Sequence, residues 1–433
     1  MASGVRVVVV GGGVAGLAAG AFAARAGARV TVLERMSEPG GRARTREDHG
    51  FLFNMGPHAL YLRGAAMACL RELGIDPPGG SPPTDGGLGM RGDQLHALPG
   101  GFVSLLTTGL LSLSEKLELA RLMARLPKLD TSGEKATSLE AYLQREVRHA
   151  GVRSIVEALV RVTTYAHAPR EISAGDALDQ MRLGLGAGVR YLDGGWETMI
   201  GSLADSAKSA GAEIRSGVRV TQVEHDTAAR GVRLDGGELV PADAVILALG
   251  PDEASALVDG GENPVLAKAA ADCMPVRAAC LDVGLARLPA PQRSFALGID
   301  RATYFSVHSA SAKLAPEGAA LVQVARYLAP SESPSREELE SQFDAILDRM
   351  QPGWRAHLVT RRLMRDLVVV HDLPRAERGG LRGRTPGDVA GISNLWLAGD
   401  WIGPEGMLVD GSFASARAAA NSAAGARRLG VAA

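Results

Sequence analysis

Apolar positions fall along this chain in three kinds of run. Short unbroken runs rich in β-branched residues, Val5–Val10 (VRVVVV), RVTVLE ending at Glu34, DAVILALGP (Asp243–Pro251) and Leu395–Ala398, predict buried parallel strands. Runs at helical spacing follow several of them: LAAGAFAARAG after the first strand, Glu197–Ala210 before Gly211, and an Ala-rich stretch starting around Asp410–Gly411. Another, LSEKLELARLMARL, places Leu117, Leu119, Leu122 and Met123 on a helix. Alternating runs, CLDVGLA, TYFSVHS and ALVQVARYL, predict antiparallel strands. After them Ser335 and Glu338 stand as a capping box before the helix LESQFDAILDRM. The two regimes interleave. Residues 1–61, 192–251 and 385–433 are expected to build an α/β domain, and 62–191 (helical in pattern) with 252–384 an α+β domain.

At 433 residues the chain is too long for one ordinary core, in keeping with two intertwined domains. A net charge of −1 gives no electrostatic case for nucleic acid. Three cysteines without a CxxC exclude a disulfide framework and suggest a cytoplasmic setting. No metal-ligand spacing stands out. The N-terminal apolar stretch imitates a membrane span or leader, but its glycine turn interrupts the first, and removing the second would delete a strand of the fold.

The first strand ends in GGGVAG, so Gly11, Gly13 and Gly16 fill GxGxxG between a strand and a helix. Gly11 turns the chain off the strand, Gly13 leaves room for a pyrophosphate, and Gly16 lets helix and strand pack closely. Val14 and Ala15 open the helix, whose free N–H groups face the phosphates. Glu34 closes the next strand, where a carboxylate accepts ribose hydroxyls. No second unit of this kind appears, so a nicotinamide domain is not expected; electrons leave to oxygen, a quinone or another carrier.

Beyond Glu34, Arg35 precedes a GGR turn of Gly40, Gly41 and Arg42, and FLFNMGPHALY follows with Gly56, Pro57 and His58. The C-terminal stretch reads LAGDWIGPEGMLVDGSFASARAAA. These three elements, in this order, resemble the FAD-dependent amine oxidase superfamily, its phytoene desaturase and protoporphyrinogen oxidase-like branch, with Glu38 replacing the leading Arg of the RxGGR motif. The resemblance implies a Rossmann-like FAD-binding domain (GR2 type) interleaved with an α+β substrate domain. It implies noncovalent FAD, since the C-terminal motif has no cysteine. It brings the backbone of Gly56–Pro57 beside the flavin ring, Val220 to the adenine, and Gly399 and Asp400 to the ribityl–pyrophosphate region. The N–H of Val409 is assigned to the flavin O2, with Met407 and Leu408 on the substrate side.

The activity so implied is dehydrogenation of an apolar small molecule by hydride transfer to flavin N5. Two other readings stay open: a flavin amine oxidase, and a non-catalytic binding protein like the Rab escort and GDP-dissociation-inhibitor proteins. Leu408 occupies the position where amine oxidases carry one ring of their aromatic cage. His58 is the candidate catalytic acid or base. Tyr165, His167 and Arg170, together with His308 and Arg326 on expected strands, are substrate-contact candidates. The apolar segment Gly101–Leu113 is too short to span a bilayer and reads either as a core helix or as a peripheral membrane contact.

Overall fold

The strand Arg6–Val10 lies between Arg29–Glu34 and Ala244–Leu247, parallel to both. Glu213–Ser216 and Leu395–Leu397 add on the outside, giving a five-stranded all-parallel sheet assembled from distant parts of the chain. The computed structural model describes residues 4–83 and 86–426; 1–3, 84–85 and 427–433, including both outer ends of the expected domain segments, lie outside the described residues. The helix Val14–Arg25 packs on this sheet with helices Glu197–Ser209 and Val409–Ala424 in one Ala- and Leu-rich core. On the other face sits a three-stranded antiparallel sheet of Val220–His225, Ala229–Leu234 and Leu239–Pro241.

A second, seven-stranded sheet runs in the order Leu358–Val370, Val276–Leu285, Ala320–Leu328, Thr303–Val307, Phe295–Gly298, Leu88–Arg91, Gln94–Ala97. The last two strands come from the stretch expected to be helical. Their four-residue runs are too short to display a period, and only the turn Gly92–Asp93 between them betrays the hairpin. The long strand Leu358–Val370 is likewise masked in sequence by Arg361, Arg362, Arg365 and Asp366, charges that suit an edge strand.

The two faces of this sheet differ. One, with Leu281, Val283, Val322 and Val324, buries Leu339, Phe343 and Leu347 of the helix Arg336–Met350. The hydroxyl of Ser335 caps that helix through Glu338 N at 3.1 Å, but the Glu338 carboxylate turns to Arg326, so only half of the expected capping box forms. The other face carries Ala278, Cys280, Leu297, Tyr304, Ala325 and Tyr327. Helices Leu113–Arg125, Leu139–Glu146, Ala150–Thr164 and Ala174–Ala187 form their own core beside it.

Candidate functional site

The glycine loop is built as a cradle. Gly11 adopts φ +106°, a left-handed turn off the strand, and Gly16 lies so close to it that a Cβ there would stand 1.8 Å from the Gly11 carbonyl oxygen. At Gly13, by contrast, a Cβ would meet no atom within 4 Å. The helix Val14–Arg25 therefore aims its free N–H groups into open space, the arrangement a diphosphate needs. Gly40 N donates to the Gly12 carbonyl at 2.8 Å, so the GGR turn docks directly on the cradle.

Glu34 is buried at the end of its strand and accepts from Gly12 N (2.7 Å) and Met36 N (2.8 Å). A carboxylate has about four acceptor sites, so two remain for a ribose. Val218 N donates to the Glu34 carbonyl, which brings the start of Val220–His225 alongside. Glu34→Ala should weaken FAD binding roughly 10- to 150-fold, the loss of one charged hydrogen bond. It should also lower stability by about 1–3 kcal/mol, because two backbone N–H groups lose their acceptor. Titration of deflavinated protein with FAD, alongside urea unfolding, checks both; unchanged affinity would remove Glu34 from the ribose.

Arg42 leaves the GGR turn for the second sheet and the C-terminal strand. It donates to the Val369 carbonyl (2.9 Å) and to Asp400 Oδ2 (2.7 Å), while His371 Nδ1 meets Asp400 Oδ1 at 2.9 Å. Burial opposes a charge on Asp400, yet the Arg42 guanidinium and the His371 ring hold its carboxyl well below the usual range. His371 escaped the sequence reading. It follows a charged edge strand, and its partner lies in the other sheet. Arg35 is exposed and joins none of this.

The C-terminal helix begins at Val409, with Leu408 at φ +56° before it. Met407 is buried in the core of the helical insertion and Leu408 packs against the same core. In the helix's first turn, Asp410 Oδ1 accepts from Ala66 N at 2.8 Å. Burial pushes the Asp410 carboxyl up to about 7, against the pull of the Ala66 N–H and with a further push from Glu405. The unfolded chain releases this proton near pH 4, so between there and about 7 the folded state binds more protons and stability falls as pH rises. From pH 6 to 8 that fall is about 1.4 kcal/mol. Asp410→Asn keeps an acceptor for Ala66 N and should flatten this part of a denaturant-unfolding profile; a slope equal to the wild type's would show that Asp410 titrates elsewhere.

Between the two sheets lies the turn Gly56–Pro57–His58. The Pro57 carbonyl accepts from Tyr165 Oη at 2.9 Å, and a Cβ on Gly56 would crowd Leu367 and Cys280 at 3.1–3.2 Å. His58 Nδ1 lies 2.9 Å from the Gly56 carbonyl, which can only accept, and the backbone of Arg42 is a second partner of the ring. Burial pushes His58 down to about 4, so the ring is neutral at pH 7. Its edge meets Trp196 at 4.6 Å, whose buried Nε1 has no partner.

His308 stacks on Tyr191 at 3.9 Å and bonds Tyr304 Oη at 3.0 Å. Its Nδ1 is buried without a partner, and burial pushes its pKa down to about 3. The chain has six tyrosines. Five of them, Tyr61, Tyr165, Tyr191, Tyr304 and Tyr327, collect here, all with burial pushing their hydroxyls up. His167 is half-buried nearby. Arg170 and Arg326 are not part of the site. Arg170 is exposed and pairs with Glu140; Arg326 sits on the opposite face of its strand, held by Glu332 and Glu338.

The residues present fit a flavin dinucleotide: an open cradle at a helix N-terminus, a half-used buried carboxylate, and an orphaned indole N–H near the central turn. A family model described as flavin containing amine oxidoreductase matches residues 14–424. Coproporphyrinogen III oxidase of Propionibacterium freudenreichii is 27% identical over 320 residues, 58% of each chain. The zeta-carotene-forming phytoene desaturase of Myxococcus xanthus is 28% identical over 284 residues, 56% of this chain and 52% of that protein. The chain thus spans little more than half the length of these curated relatives. In fold it is similar to an oxidoreductase from Methanosarcina mazei (TM-score 0.73, 19% identity, 95% and 99% coverage). It is also similar to cyclohexylamine oxidase from Brevibacterium oxydans (TM-score 0.70, 17% identity, 97% and 99% coverage).

Proposed function

This chain belongs to the flavin containing amine oxidoreductase family, and from that premise we propose that it is an FAD-dependent oxidoreductase that dehydrogenates an apolar small molecule. FAD is the cofactor, held without a covalent bond. Segments 1–61, 192–251 and 385–433 hold it; 62–191 and 252–384 shape the substrate's chamber. When bound, FAD supplies the hydride acceptor.

The residues supply position and a mainly apolar wall. One observation carries the reading: the sheet face toward Gly56–Pro57–His58 is lined by Ala278, Cys280, Leu297, Tyr304, Ala325 and Tyr327, and the carboxylate that shares this face, Asp282, is already taken up by Arg362 and Gln323. The two histidines there are kept neutral by burial. A cationic amine would have to compete with Arg362 for Asp282, whereas an apolar molecule gains about 0.8 kcal/mol per CH₂ buried. Tyr165 fixes the Pro57 carbonyl and the Gly56 carbonyl holds the neutral His58 ring, whose unprotonated nitrogen takes the proton from the substrate. Substrate contacts are assigned to Tyr165, His167, His308 and Leu408; oxygen, a quinone or another carrier takes the electrons. All three cysteines are free, in keeping with a cytoplasmic placement.

Anaerobic bleaching of the flavin against carotenoid, porphyrinogen, sterol-like and amine compounds tests this. Only an apolar compound should bleach it at an appreciable rate. Leu408→Tyr should slow that reaction tenfold or more by filling the chamber, since one ring's volume exceeds what a packed site absorbs. Rapid bleaching by a primary amine, with ammonia released, would make the chain an amine oxidase. A colourless protein that FAD cannot reconstitute would make it a binding protein.

A further inference from the structure

The five most exposed large apolar side chains among the described residues are Leu113, Phe102, Val103, Leu106 and Leu117, from 81% down to 51% exposed. All five belong to two adjoining helices. Phe102–Thr107 buries none of its residues, and Leu113–Arg125 buries only Leu119. Lys116 Nζ donates to the Leu106 carbonyl at 2.6 Å, which holds the two helices side by side and makes their apolar side chains one patch. Leu113, Leu117, Arg121 and Arg125 recur every fourth residue, so the apolar stripe runs out into basic residues.

The charges around the patch are unequal in availability. Glu115 is engaged by Ser112, and Glu118 by the backbone of Arg148 and by His149. Arg121, Arg125 and Lys128 are exposed, and no ion pair holds them among the described residues. With Lys116 they outnumber the two acids, so the fringe of the patch is net positive. A second copy docked on this patch about a two-fold axis would set like charges against each other. Negatively charged lipid headgroups would meet both features at once, an apolar wedge and a basic fringe.

We propose that the helix Phe102–Thr107 and the first turns of Leu113–Arg125 lie in the interface of an anionic lipid bilayer as a one-sided anchor. No helix of the described residues is long and apolar enough to cross a membrane, so the contact is peripheral. Directly behind the patch, Leu105 and Leu98 join the core of the helical insertion, and Leu98 also packs on the Tyr304–Tyr327 face. Apolar side chains thus run without interruption from the lipid contact to the wall over His58. This purpose rests on the apolar-substrate reading; the geometry of the patch does not.

Flotation of the FAD-loaded full chain with phosphatidylcholine vesicles, with and without phosphatidylglycerol, tests it. The chain should float with phosphatidylglycerol vesicles, and Phe102→Ser with Leu113→Ser should weaken that at least tenfold. Replacing Arg121, Arg125 and Lys128 by Gln should cost about fivefold per charge at low salt and abolish the headgroup preference. No flotation of the wild type at low salt, or equal flotation of the serine variant, overturns the proposal. Conversion of a dimer to a monomer by the serine substitutions, without vesicle binding, would assign the patch to a second copy instead. Bleaching by detergent-dispersed substrate should survive the serine substitutions; its absence in a wild type that floats would sink the substrate reading alone.

Discussion

Gly13→Val should purify folded and colourless, while Gly16→Val should not fold. The two glycines sit three residues apart in one motif, yet the structure gives them opposite surroundings. A Cβ on Gly13 meets nothing within 4 Å, and its φ of −76° is one that any residue adopts. Valine there enters only the space reserved for the diphosphate. FAD affinity should fall by more than about 100-fold through steric exclusion. Its unfolding midpoint should match that of deflavinated wild type. At Gly16 the same atom would lie 1.8 Å from the Gly11 carbonyl oxygen. The helix would have to leave the sheet, at a cost on the order of 4 kcal/mol or more. Flavin absorbance and urea unfolding of both variants decide the matter. Full flavin occupancy in Gly13→Val would move the phosphates elsewhere, and a stable Gly16→Val would mean that helix and sheet are looser than this contact requires.

The cofactor half of the molecule was legible because its signals are local. A β-branched strand, three glycines, a helix and an acid lie within the first 34 residues, and the strand partners found in the fold are those the apolar runs announce. The substrate half was legible only as strands. Along ALVQVARYL the side chains alternate, so Arg326 and Tyr327 must face opposite ways, but nothing in the sequence says which face looks at the cofactor. Register settles it. Tyr304 pairs with Ala325, two residues before Tyr327, so both rings land on one face and Arg326 on the other. The TYAHAPR loop shows the same limit. Tyr165 turns inward at φ +60° to bond Pro57, and the chain that continues from it carries Arg170 out to Glu140. His371 needed the full tertiary structure, since its partner Asp400 lies in the turn that follows a strand of a different sheet.

The link between the two halves is also long-range, and it can be tested by pH. Asp282, fully buried on the strand Val276–Leu285 beside the edge strand, accepts from Gln323 Nε2 at 3.1 Å and from Arg362 at 2.7 Å. The same Arg362 nitrogen bonds the Asn54 carbonyl, at the start of the segment that carries Gly56, Pro57 and His58. Asn54 Oδ1 in turn accepts from Trp196 N at 2.9 Å, beneath the ring that meets His58. Burial pushes the Asp282 carboxyl up to about 6, against the opposing pull of Arg362. An acid raised above its unfolded value near 4 weakens the fold as pH climbs from 4 to 6, and the wild-type contribution should be level above that. Arg362→Met removes the opposing pull and raises the carboxyl further, so its penalty should keep growing above pH 6. At pH 8 the variant should be about 3 kcal/mol less stable than wild type, because a buried charge has lost its partner. Most of that loss should return by pH 5, and adding Asp282→Asn should return it at pH 8 as well. Flavin absorbance should change in the single variant, through the freed Asn54 carbonyl, even where stability has recovered. A loss independent of pH would mean that Asp282 is already protonated in the wild type, and that Arg362 holds the cofactor turn through Asn54 alone.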